Sequence, residues 1–167
     1  MKRMKHLGAA ALAATLLVTA CAKKEKEEGR ILSPDEAKTA IATGAWIFQH
    51  EAVVYGPDDV DHGPSEPCKL DDVYRFDLSG DASVQWGANE CNPSFPTASG
   101  SYGSWEIAEH GAVLKLSYTR AMPGAFGAGD VATWGIDYLS DRKMVLKRTV
   151  YEPGKSYVLY DTYVKRS

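Results

Sequence analysis

From Gly44 onward, apolar and polar residues alternate with a period of two, the pattern of strands that bury one face. Trp46, Phe48, His50, Ala52 and Val54 share a face of the first run. A loop rich in Pro, Gly and Asp (56–70) follows. Tyr74, Phe76 and Leu78 then line a second run, and Ser79-Gly80-Asp81 turns the chain into a third, with Val84 and Trp86. A proline-bearing loop (88–100) leads to Tyr102–Ile107, where Gly103, Trp105 and Ile107 lie on one side. Glu109-His110-Gly111 turns it into Val113–Tyr118, where Leu114, Leu116 and Tyr118 alternate. Beyond the Gly-rich stretch Met122–Gly129, Ala132, Trp134, Ile136 and Tyr138 share a face of Val131–Leu139. Met144, Leu146, Arg148 and Val150 alternate in the next run, and Glu152-Pro153-Gly154-Lys155 turns the chain into Ser156–Val164. Before these runs the pattern is helical: Ser33 is placed to cap, Pro34 suits the first turn, Asp35 and Glu36 suit the helix dipole, and Gly44 follows the expected end near Ala42.

Eight short amphipathic strands joined by hairpin-length turns either close on themselves or split into a sandwich. Closure removes the exposed edges, and eight strands leave room for side chains or one small ligand. The sequence therefore predicts an all-β fold, an eight-stranded antiparallel up-and-down barrel, with a short N-terminal helix. Nine tyrosines and four tryptophans suit such strands.

The first twenty residues have a different character. Lys2, Arg3 and Lys5 precede a short apolar stretch, Leu7–Ala20, which reads as a secretory signal rather than a membrane span. Val18-Thr19-Ala20-Cys21 resembles the lipobox of bacterial lipoproteins, which implies removal of 1–20 and lipidation of Cys21. Several acyl chains anchor firmly, at about 0.8 kcal/mol per buried CH₂. The charged run 22–30 buries nothing, so 21–32 reads as a lipidated tether and 33–167 as the domain. Its Lys and Glu residues also resemble the surface-export signal of Bacteroidota lipoproteins; a plain charged spacer reads equally well.

Charge narrows the partners. Three of the 19 basic residues and none of the 22 acidic ones lie in the first twenty, so the remainder has a formal charge of 16 − 22 = −6. Nucleic-acid binding needs a basic footprint, and none is expected here. With Cys21 lipidated, two cysteines remain, and Cys68 and Cys91 are expected to pair in an oxidising envelope.

Several quoted pieces occur in order: Gly44-Ala45-Trp46, Cys68-Lys69-Leu70-Asp71-Asp72-Val73-Tyr74-Arg75-Phe76, Gly80, Gly87-Ala88-Asn89-Glu90-Cys91, Gly103-Ser104-Trp105-Glu106-Ile107 and Leu114-Lys115-Leu116. On these, the region from about Ala40 to Lys165 resembles the bacterial lipocalin-like domain family, common as envelope lipoproteins in Bacteroidota. The resemblance implies that Trp46 closes one end of a barrel beneath Lys165 or Arg166. It also implies a bacterial envelope location, lipid-anchored to the outer membrane on its periplasmic face or at the cell surface.

No catalytic constellation is legible. His-Glu-x-x-His, Gly-x-Ser-x-Gly and phosphate-loop motifs are missing, so neither an enzyme nor a cofactor is expected. Asp58-Asp59-Val60-Asp61-His62 lacks the calcium-loop pattern, so no metal site is expected either. Asp71 and Asp72 suit hydrogen bonding to turn amides better than catalysis. Phe48, His50, Phe76, Trp86, Trp105, Trp134 and Tyr138 are the candidates for lining a ligand cavity, and Phe126, set among glycines, for a mouth lid or interface anchor. The leading expectation is non-covalent binding of a small apolar or amphipathic molecule. The alternative is a protein-interaction or inhibitor module in the envelope, blocking a basic enzyme such as a lysozyme or protease.

Overall fold

The computed structural model describes residues 32–56, 59–61, 67–89, 99–122 and 126–166. It contains one helix, α1 (Pro34–Ala42), and nine strands: β1 (Ala45–Gly56), β2 (Asp59–Asp61), β3 (Val73–Phe76), β4 (Asp81–Gln85), β5 (Gly100–Ala108), β6 (Val113–Tyr118), β7 (Val131–Leu139), β8 (Lys143–Glu152) and β9 (Lys155–Lys165). From β3 to β9 each strand pairs antiparallel with the next. β1 pairs with both β3 and β9, which closes an eight-stranded barrel. β2 is an addition that alternation did not reveal: three residues inside the 56–70 loop pair back on the far end of β1. The signal segment, Cys21 and most of the tether lie outside the described residues. Leu32, placed in the tether by sequence, already packs against the core.

The two ends of the barrel differ. The start of β1 and the end of β9 lie at one end, with the short β3–β4, β5–β6 and β7–β8 turns. Helix α1 covers this end. Ser33 and Glu36 form a reciprocal capping box, so two backbone donors at the helix start are satisfied. Ala37 and Ile41 point into the core with no exposure. Trp46 is fully buried beneath the helix, and its Nε1 donates to the Ile41 carbonyl at 2.8 Å. Lys165 Nζ lies 5.5 Å from the Trp46 ring centroid and donates to Thr43 Oγ1 at 3.1 Å. The β5–β6 turn places Glu109, His110 and Gly111 at φ 49°, 57° and 93° in succession. A Cβ at Gly111 would press on the Leu32 carbonyl, so the glycine serves both the backbone conformation and the seating of the α1 start.

At the other end are the longer connections and the tight β8–β9 turn. Two adjacent carboxylates tie the chain there. Asp72 accepts from Gly87 N at 2.9 Å, and Asp71 accepts from Ala88 N at 2.8 Å, Asn89 N at 3.1 Å and Asn89 Nδ2 at 3.0 Å. Burial pushes the Asp72 carboxyl up, the Gly87 bond draws it down, and Asp71 raises it by like charge. Cys68 stands just before them in the single turn Pro67–Lys69; Cys91, and with it the expected pairing, lies outside the described residues.

Among the described residues the pairing shifts register at four places, Gln49 and Tyr55 in β1, Tyr102 in β5 and Asp137 in β7, and the first and last of these bear on the candidate residues. In β1, Phe48 pairs with Tyr163 and His50 with Thr162, leaving Gln49 as an extra residue. In β7, Ile136 pairs with Leu146 and Tyr138 with Val145, leaving Asp137 extra. One inserted residue moves everything after it to the opposite face.

Candidate functional site

The strands at the open end aim an unusual set of polar groups inward. In β8, Met144 and Leu146 are buried, so Arg148 shares their inner face. In β9, Leu159, Asp161 and Tyr163 alternate inward, and Asp161 is buried. Glu51 joins them because the Gln49 bulge turns it in, opposite Asp161 in the register. Phe126 returns from the β6–β7 connection through a bridge to Met122, whose N donates to the Phe126 carbonyl at 2.8 Å.

These groups meet around the Arg148 guanidinium. Its Cζ lies 4.8 Å from the Trp134 ring centroid and 5.1 Å from that of Phe126. Phe126 in turn stacks on Tyr118, with centroids 4.7 Å apart and planes 8° from parallel. Arg148 Nε, Trp134 Nε1 and Asp161 Oδ1 are buried without a hydrogen-bond partner. Each such atom costs desolvation energy unless water or a ligand reaches it. The Asp161 carboxyl is pushed up to about 7, chiefly by burial and also by the like charge and hydrogen bonding of Glu51, against the pull of Arg148 and Lys69. Asp161 thus exchanges its proton near neutrality.

Above this layer, Tyr55 and Tyr157 pack 5.4 Å apart at the ends of β1 and β9. Lys155 Nζ lies over both rings, and Glu152 accepts from the Tyr157 hydroxyl at 2.8 Å. Below it is an enclosed cavity of about 60 Å³, whose lining includes Tyr74, Phe76, Tyr102, Tyr118, Trp134 and Tyr163. Burial raises the hydroxyl pKa of all four tyrosines, so they remain protonated donors. A wider hollow of about 650 Å³ lies at the helix-covered end, between 42–45 and β3–β4, but it is open to solvent and lined by none of the unpartnered buried atoms.

The residues singled out by sequence separate clearly. Phe76 and Trp134 line the enclosed cavity. Phe48 is buried edge-on against Tyr163 at 5.7 Å. Trp105 is also buried, but it serves the covered end, where its Nε1 donates to the Asp77 carbonyl at 2.8 Å. Trp86 packs on the core with its indole N–H buried and unpartnered, outside the lining of the enclosed cavity. His50 and Tyr138 require correction: the bulges put both on the outer face. His50 is exposed beside Thr162, and Tyr138 sits under Lys143 while Leu139 takes the inner position. Leu78, assigned to a buried face, lies in the β3–β4 turn and is largely exposed.

Glu51, Arg148, Asp161 and the four tyrosines are the site residues that sequence reasoning missed. Arg148 and Asp161 did carry a signal, since each interrupts an apolar alternation on the face that must be buried. Glu51 carried none, because its direction depends on the bulge. Among the described residues no cluster of His, Cys, Asp and Glu could hold a metal ion. No family model matches the chain, and no curated protein matches it.

Proposed function

We propose that this chain is a lipid-anchored envelope protein of lipocalin-like form whose barrel binds a small amphipathic molecule non-covalently through its open end. The closed eight-stranded barrel is consistent with that form. The observation that carries the binding reading is the group of buried, unpartnered polar atoms on Arg148, Trp134 and Asp161 among aromatic rings. Ligand sites combine apolar walls with a few convergent polar groups in this way. The enclosed cavity, at about 60 Å³, is far below the roughly 300–1,000 Å³ of typical ligand pockets. A ligand would therefore place only its tip in that space and lay its bulk against the Phe126–Arg148 layer and the Tyr55–Tyr157 rim. Native mass spectrometry of the purified full chain, after exposure to a lipid extract, should show a retained small molecule. A repeatedly empty protein would contradict the reading.

The smallness of the same cavity favours a second reading, an interaction or inhibitor module with a filled core. The formal charge of −6 beyond residue 20 suits a basic protein target. Tight, salt-sensitive inhibition of a basic lysozyme or protease by a ligand-free barrel would favour it over small-molecule binding.

A further inference from the structure

The rings around Arg148 define what kind of ligand the open end would accept. This inference rests on the small-molecule reading above and names its ligand class. Trp134 and Phe126 each lie within cation–π distance of the guanidinium. These contacts fix its position and leave its N–H groups as the polar contact surface. Among the described residues Arg148 makes no ion pair, and its Nε is buried without an acceptor. The Trp134 indole N–H is likewise buried and unpartnered. A positioned guanidinium with unfilled donors matches the planar, two-oxygen geometry of a carboxylate. Protonated tyrosine hydroxyls and ring faces line the space next to it.

We infer that the open end of the barrel is a site for an amphipathic carboxylate, with the anionic group held by Arg148 and the apolar part laid against Phe126, Trp134 and the tyrosine rings. Asp161 does not block this role, because it keeps its proton, and therefore carries no charge, up to about neutral pH. The groups that bear on Asp161 are Glu51 from β1, Arg148 from β8, Lys69 from the turn before β3, and the hydroxyls of Tyr74, Tyr118 and Tyr163. Glu51 is the one other carboxylate among them. Ionising Asp161 adds a negative charge beside the bound anion, so binding should weaken as pH rises through about 7.

The test is a calorimetric titration of the full chain with decanoate, 1-decanol, decyltrimethylammonium and inorganic phosphate, on wild type and on Arg148→Gln and Arg148→Lys. Decanoate should bind about tenfold or more tighter than decanol, the ratio expected from one charge-assisted hydrogen-bonded pair. Arg148→Gln should erase that ratio. Arg148→Lys, which keeps charge but loses the fork, should retain part of it and covers the case in which the glutamine variant does not fold. Wild-type affinity for decanoate should be lower at about pH 8 than at about pH 6, across the Asp161 titration. Equal binding of decanol, tighter binding of the cation, or a decanoate preference that survives in both variants would overturn the inference while leaving a ligand-binding barrel. Phosphate binding as tightly as decanoate would overturn the amphipathic part. Failure of every probe would overturn both this inference and the binding reading.

Discussion

Single residues account for both the legible and the illegible parts of the interior. Arg148 and Asp161 stand in plain alternation with Leu146, Leu159 and Tyr163, and a charge at such a position announces either a bulge or a buried polar group. The energetic consequence can be measured at Asp161. Its folded pKa, about 7, lies above its ordinary value of 3.8. Between those values the folded state therefore holds a proton that the unfolded chain has released. Stability from this group is full below about pH 4 and lost as pH rises through about 7. Asp161→Asn should flatten the dependence of stability on pH across that window and leave the variant more stable than wild type at about pH 8, by on the order of a few kcal/mol. Thermal melts across pH would check it, and an unchanged slope would refute the assignment. Gly103 is the complementary case in packing. A Cβ there would collide with the Ser117 carbonyl of β6, so Gly103→Ala should cost about 1–3 kcal/mol in urea unfolding through overpacking.

At the level of elements, the eight barrel strands were readable because each buries one face against a common core. What escaped were the places where a strand gains a residue. Gln49 and Asp137 carry no mark of their own: neither is glycine, and neither lies in a turn. A bulge is decided by pairing with a neighbour far away in sequence, so His50 and Tyr138 read inward when they face out. β2 escaped for a related reason, since three residues within a polar loop show no period. The Asp71–Asp72 pair was readable as hydrogen-bonding to turn amides, and it joins the start of β3 to the segment after β4. Asp71→Ala removes three of these bonds and should cost about 2 kcal/mol, with faster proteolytic cutting after β4. Resistance equal to wild type would show that the pair is dispensable.

For the molecule as a whole, the barrel has one packed end under a helix and one polar, aromatic end, and among the described residues the buried side-chain polar atoms without partners lie toward the latter. Sequence located that division coarsely, through Trp46 at one end and the Gly-rich mouth loop with Phe126 at the other, but it could not foresee how little enclosed space the tyrosines would leave. The seam between β1 and β9 has a further consequence, in time rather than in space. Trp46 pairs with Lys165, so the first strand finds its final neighbour only when nearly the whole described chain is available. Contacts so distant in sequence slow folding to the millisecond-to-second range, roughly, even in small domains. Until β9 arrives, the edge of β1 is an adhesive strip open to other chains. Refolding followed by tryptophan emission should therefore show burial of Trp46 as a late event, absent from a chain that ends before β9. A newly made copy would then need shielding until its last strand has formed.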